Sequence, residues 1–326
     1  MFAAAGVTAA GLAACSSGSS SSTPAATSGQ GPEKTTVTVD IVDAADSAPL
    51  WIAIKDGFFK QQGLTVKLNY LAATVAAFPG QAAHTVDFAI QPEVNTFSET
   101  GKNPGLGLRI VAEDELTSPN TNVIMVSKNS SIKSPAGLKG KVVGFPSPGV
   151  SAASLALDEQ LEGYGLTAKD YTDDPVGFPA MTGELARGTI DATFSIEPFI
   201  TIMETSTGAH ELMDLMTGPM ANFPIMGWTT TAWEEQHYPR TVAAFQRAIE
   251  EGQRAAAADT SLVRQILPEN IKTLSPKLAN IMPLQTYVTT LSMTSMQRVA
   301  TIMEQFGTLP PSFKVAPLII PLPAGS

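Results

Sequence analysis

One segment plan occurs twice in this chain, about 100 residues apart, and it restricts the fold more than any other feature. Residues 35–42, TTVTVDIV, alternate β-branched and polar side chains, as a half-buried strand does. A turn-rich loop follows at 43–49. Helical spacing runs over 50–62, with Leu50, Ile54, Phe58 and Phe59 on one face and Gly63 as a natural stop. Strands are expected again at 65–70 and 87–90. The same order then returns: a strand at 141–145, a loop at 146–151, a helix over 152–164 ending at Gly165, an extended stretch at 170–176 and a strand at 191–196. Gly63-Leu64-Thr65 recurs as Gly165-Leu166-Thr167, and Val86-Asp87-Phe88-Ala89 is echoed by Ile190-Asp191-Ala192-Thr193. Gln91-Pro92-Glu93 is loosely echoed by Ile196-Glu197-Pro198. A period of 20–50 residues would mean a solenoid. An offset near 100 means two α/β lobes of one plan, each a βαβαβ unit of an open sheet.

After Phe199 the order changes. Residues 220–231 read as a return crossing, and helices are expected over 233–258, 260–267, 275–281 and 292–305. The apolar, proline-broken tail at 315–323 reads as packed coil. The C-terminal segment should complete the first lobe.

Composition removes several function classes. Of 326 residues, 30 are acidic and 20 basic, for a net charge of −10. No Lys/Arg cluster is present to neutralise phosphates, so no nucleic-acid partner is expected. The single cysteine forbids an internal disulfide. His84, His210 and His237 each stand alone, which argues against a zinc site, and no metal or cofactor is expected. No apolar run reaches the ~18 residues of a membrane span.

Residues 1–14, MFAAAGVTAAGLAA, form a short apolar run that stops at Cys15. They fit the hydrophobic region of a secretory signal. Leu12-Ala13-Ala14-Cys15 resembles a bacterial lipobox, with Cys15 as the lipidated residue. No Lys or Arg precedes the run, so a start codon upstream of Met1 is expected. Residues 16–32, SSGSSSSTPAATSGQGP, have the composition of a disordered tether. The folded part is therefore expected on the outer face of the cytoplasmic membrane, held by lipid alone.

Three further segments carry a family resemblance. APLWIAIKDGFFKQQGLTVKL (48–68), LKGKVVGFPSPGVSA (138–152) and ELARGTIDATFSIEPF (184–199) resemble ABC-transporter substrate-binding proteins of the nitrate/sulfonate/taurine and thiamine-pyrimidine group. The resemblance covers roughly residues 35–318. It implies the type 2 periplasmic-binding fold, two α/β lobes with a ligand cleft between them. It also implies delivery of a small solute to an ABC permease and its ATPase, with no chemistry performed. The expected division is 1–14 signal peptide, 15–33 lipidated cysteine and tether, 34–126 with 224–326 lobe one, and 127–223 lobe two. A monomer is expected. Closure would rotate the lobes about crossings near 123–127 and 219–228.

By the same resemblance, the ligand loops fall at 43–51, 74–77, 91–93 and 222–223 of lobe one, and at 147–151, 178–181 and Glu197 of lobe two. They nominate Asp43, Asp46, Trp51, Thr74, Gln91, Glu93, Ser147, Gly149, Ser151, Phe178, Glu197 and Asn222. Several have an ordinary alternative. Ser147 and Ser151 are also natural helix N-caps. Asp43 and Asp46 could cap their loop, Glu197 could pair structurally, and Gln91 could be solvated. Trp51 and Phe178 could stack on a flat ligand or fill the core. None of these loops carries Arg, Lys or His, and they hold Asp43, Asp46, Glu93 and Glu197. Four carboxylates oppose an anion, so a neutral or cationic nitrogen heterocycle, such as a thiamine-type pyrimidine, is favoured over sulfonate, taurine or nitrate.

Rival functions stay open at this point. A sensor-coupled binding module would need the same two-lobed receptor. An enzyme has less support. One branch related to this fold makes the thiamine pyrimidine using a cysteine cluster that is missing here. The Ser130-Ser131-Ile132-Lys133 pattern lacks its companion motifs. Glu113-Asp114-Glu115 reads as a solvated acidic loop rather than a metal site.

Overall fold

The computed structural model describes residue 1 and residues 31–322. The expected signal segment, Cys15 and tether up to residue 30 lie outside the described residues. β1 (Thr36–Val42) leads through residues 43–47 into α1 (Ala48–Lys55) and α2 (Phe58–Gln61). β2 (Thr65–Leu71), α3 (Phe78–Ala82), β3 (Phe88–Pro92), α4 (Glu93–Lys102) and β4 (Leu108–Leu116) follow. The second run is β5 (Asn122–Val126), β6 (Val142–Phe145), α5 (Ala152–Glu162), β7 (Thr172–Pro175), α6 (Phe178–Arg187), β8 (Ala192–Ile196), α7 (Phe199–Thr207) and β9 (His210–Asp214). The chain returns as β10 (Pro224–Thr231). It ends in α8 (Ala232–His237), α9 (Pro239–Ala258), α10 (Thr260–Asn270), α11 (Pro276–Ile281), β11 (Thr286–Tyr287) and α12 (Met293–Gln305).

Two sheets result, and they repeat one plan. The first has the order β11-β4-β10-β3-β1-β2 and the second β7-β6-β8-β5-β9. In each, three parallel strands joined by helices are followed by one antiparallel strand from the other side of the chain crossing. That strand is β10 in the first sheet and β5 in the second. β4 and β9 then close the pattern. The matching glycines explain why the repeat was visible. Gly63 and Gly165 sit at φ +76° and +69°, in equivalent helix-to-strand turns. Only glycine enters that left-handed region without strain.

The structure departs from expectation in four places. The helix read over 50–62 is broken at Gly57, whose φ of +79° separates α1 from α2. The helix read over 233–258 is broken before Pro239, which has no backbone N–H to give and starts α9 instead. The crossing expected near 123–127 is not a hinge: residues 122–126, NVIMV, form the fully buried β5, and the chain changes sheet at 117–121. Glu113-Asp114-Glu115 is not a solvated loop. It lies inside β4, and the three side chains are at most 2% exposed.

α9 holds the first sheet from one side. Phe245 stacks on Phe88 with ring centroids 3.8 Å apart, and it meets Trp228 edge-on. Gln246 donates to the carbonyls of Val111 and Ile320, and Gln253 to that of Glu113. The C-terminal stretch at 316–320 is coil with one short turn, tied to β4 through an Ile110–Ile319 bridge. Among the described residues no helix is long and apolar enough to cross a membrane.

Candidate functional site

A cavity lies where the two sheets face each other. Its wall comes from the carboxyl ends of β1, β3, β6 and β8, from α5 and α6, and from the points where the chain changes sheet. Strand ends of an open α/β sheet are where its loops can hold a ligand. The first sheet supplies Asp46, Thr74, Asn95 and Glu115; the second supplies Asn122, Ser147, Ser151 and Phe178. The free space is about 50 Å³, enough for a few water molecules. A ring-sized solute fits only when the sheets part.

Direct hydrogen bonds join the two sides. The Ala45 N–H donates to the Glu197 carbonyl at 3.1 Å. The Ala152 N–H, in the first turn of α5, donates to Asn95 Oδ1 at 3.1 Å. The loop after β1 is itself braced: Ser47 Oγ donates to the Val42 carbonyl, and the Tyr287 hydroxyl to the Ala45 carbonyl.

Of the nominated residues, Asp46, Thr74, Ser147, Ser151 and Phe178 line the cavity. Ser151 is the N-cap of α5: its side chain accepts from the Ser154 N–H, and Ser154 answers with a capping box. Replacing Ser151 with Ala should lower stability by about 1 kcal/mol in denaturant unfolding. Any further loss of solute affinity would measure a second role for the hydroxyl. Phe178 stacks on Phe199 at 5.2 Å and presents its remaining surface to the cavity.

The other nominations fall elsewhere. Trp51 is 2% exposed in the core of α1, with no face toward the cavity. Gln91 is buried and donates to the Thr74 carbonyl at 2.7 Å, so it positions a wall residue without joining the wall. The Glu197 carboxylate turns back to accept from the Thr201 N–H and hydroxyl at the start of α7. Burial pushes its pKa up to about 7. Gly149 and Asn222 are exposed at φ +70° and +50°, and Asp43 sits outside the wall. Glu93 is buried behind the cavity, its carboxylate resting against the bare backbone of Gly227.

The carboxylates at the cavity are not the four read from the loops. Asp46 is joined there by Glu115 of β4, and no Lys, Arg or His is in the wall. Burial pushes Asp46 up to about 6. Glu115 is held well above the usual carboxylate range, first by burial and then by Asp46, Asp114 and Glu93. Behind them, burial raises Asp114 to about 7 although Trp228 Nε1 and Gln253 donate to it. Among the described residues no His/Cys/Asp/Glu group has the arrangement of a metal site.

A family model described as NMT1/THI5 like matches residues 44–261. The chain belongs to this family. A relative named for thiamine biosynthesis in Haemophilus influenzae is 30% identical over 160 residues, covering 49% of this chain and 49% of the relative. The 4-amino-5-hydroxymethyl-2-methylpyrimidine phosphate synthase of Uromyces fabae is 25% identical over 227 residues, 65% of this chain and 63% of the relative. The alignment thus spans about half of the first relative's length and under two thirds of the second's. The solved alkanesulfonate-binding protein SsuA of Xanthomonas axonopodis pv. citri, bound to MOPS, superposes with a TM-score of 0.74 at 17% identity. That match covers 89% of this chain and 99% of SsuA. At that identity it shows a shared fold, the two-sheet α/β binding-protein fold that the resemblance implied.

Proposed function

We propose that this chain is an extracytoplasmic solute-binding protein. It takes a small nitrogen-bearing organic solute between its two sheets and passes it to an ABC permease and its ATPase. Lipid anchoring through Cys15 and a monomeric state belong to the same proposal. The supporting observation is the cavity itself: it is walled by both sheets, bridged by direct hydrogen bonds, and holds two buried carboxyls with no cation beside them. A solute that replaces the bridging bonds with contacts to both walls favours the closed arrangement by its differential affinity. The hinges would be the stretches at 117–121 and 215–223, where the chain passes between sheets.

The wall also bears on binding as against catalysis. Relatives named as synthases leave an enzyme in view; the wall holds Asp46 and Glu115 as acid–base groups and no His, Lys or Cys. Ser151 is engaged in capping.

A thermal-shift panel of thiamine-type pyrimidines, polyamines, alkanesulfonates, taurine and nitrate tests the proposal. A solute at 100 times its dissociation constant adds about 2.7 kcal/mol. The expected hit is a neutral or cationic nitrogen compound. A shift with sulfonate or nitrate alone would overturn the solute class and keep the binding function. A pyrimidine consumed by the protein would overturn the binding role in favour of an enzyme.

A further inference from the structure

Glu115 is out of balance with its surroundings. It is 0% exposed, and neither side-chain oxygen receives an N–H or O–H from the fold. Leaving such a group unsatisfied costs about 1–3 kcal/mol or more. It nonetheless stands in the wall of the cavity, at the end of β4 and in register with Tyr287 of β11. Asp46 comes within bonding reach from the loop after β1. Two carboxyls can bond to one another only by sharing a proton.

The groups facing the pair from each packed element forbid a second negative charge. Asp114 on β4 and Glu93 on α4 are acidic neighbours. The Tyr287 hydroxyl is spent on the Ala45 carbonyl. Arg264 of α10 is the cation on the Tyr287 side, and it donates to the carbonyls of Ala279 and Met282. The pair therefore carries one proton and one charge.

We propose that Asp46 and Glu115 select the solute by offering this carboxyl pair to an amidinium-type edge, with two N–H groups on one carbon. The inference rests on the solute-binding function above and names the chemistry of the solute. An amidinium would take both carboxylates and return the shared proton to solvent. A neutral amino-azine has one N–H beside a ring-nitrogen acceptor, so it would accept from the protonated carboxyl, donate to the other, and bind without net proton release. An anion meets the pair's negative charge with no Lys, Arg or His in the wall to offset it.

Calorimetry on the full chain tests this, with benzamidine, 4-aminopyrimidine and ethanesulfonate as probes in two buffers of different ionisation heat near pH 7. The expected result is that wild type binds benzamidine with release of about one proton. Glu115→Gln should weaken it at least tenfold and remove the proton release, while Asp43→Asn, outside the wall, changes neither. If Glu115→Gln does not fold, Glu115→Asp keeps the acid but withdraws it by one methylene, and it should weaken benzamidine in the same direction. A Glu115→Gln protein with wild-type affinity and proton release would overturn the selector and leave the solute-binding function standing. Wild-type protein that takes ethanesulfonate and neither nitrogen probe would overturn both. Wild type that binds none of the three probes overturns the selector, while the wider thermal-shift panel still decides the function.

Discussion

Raising the pH from 5 to 8 should lower the melting temperature of this protein by on the order of 10 °C. The cause is the set of carboxyls buried in the first sheet, at the cavity and at the start of α7. Burial lifts Asp46 to about 6, Asp114 to about 7 and Glu197 to about 7, and their values return to near 4 when the chain unfolds. Each folded value lies above its unfolded value. The stability these groups contribute is therefore fully present below about pH 4 and is lost as the pH climbs through 6–7. Asp114 alone, ionised in place, would forfeit about 4 kcal/mol. The carboxyls interact, so the total is several kcal/mol rather than a sum, against a typical stability of about 5–15 kcal/mol. Scanning calorimetry at five pH values reads the slope. Asp114→Asn keeps an acceptor for Trp228 Nε1 and should flatten it. A melting temperature that holds steady or rises from pH 5 to 8 would mean that these carboxyls are paired after all.

The second large effect concerns Gly252. It lies in α9 where that helix crosses α1, and a Cβ there would stand 2.2 Å from the Pro49 carbonyl oxygen and 2.9 Å from Ala53 Cβ. The obstacle is backbone, so no rotamer change relieves it. Alanine in a helix gains about 1 kcal/mol over glycine. Overpacking a tight core costs about 1–3 kcal/mol, and more where backbone must move. The clash should win, and Gly252→Ala should lose about 2 kcal/mol or more in denaturant unfolding. α1 would shift away from α9 and carry with it the loop that holds Asp46, so solute affinity should fall as well. A Gly252→Ala protein more stable than wild type would mean that the helices are not in backbone contact.

What could be read from residue order depended on distance along the chain. The paired lobes were legible because their turns use the same left-handed glycines, at 63 and 165. Asp46, Thr74, Ser147, Ser151 and Phe178, which line the cavity, were nominated through the family resemblance, on loops that follow strands of the repeated unit. Glu115, Asn122, Asn95 and Gln285 were not. Glu115 and Asn122 flank the first change of sheet, and Gln285 arrives from the C-terminal segment. No local pattern reports which wall those residues join. Glu113-Asp114-Glu115 misled outright, since three successive carboxylates have the composition of a solvated loop. Gln253, Trp228 and the cavity give that strand its place inside the fold, and all three are remote in sequence. The same distance hid the Glu93 carboxylate against Gly227.

The most direct test is to release the protein from its native host without adding solute, unfold it, and identify by mass spectrometry the small molecule it carried. The expected molecule is a neutral or cationic nitrogen compound with an N–H edge, recovered in near one-to-one amount and lost from Glu115→Gln. A sulfonate, nitrate or other anion in that position would contradict it.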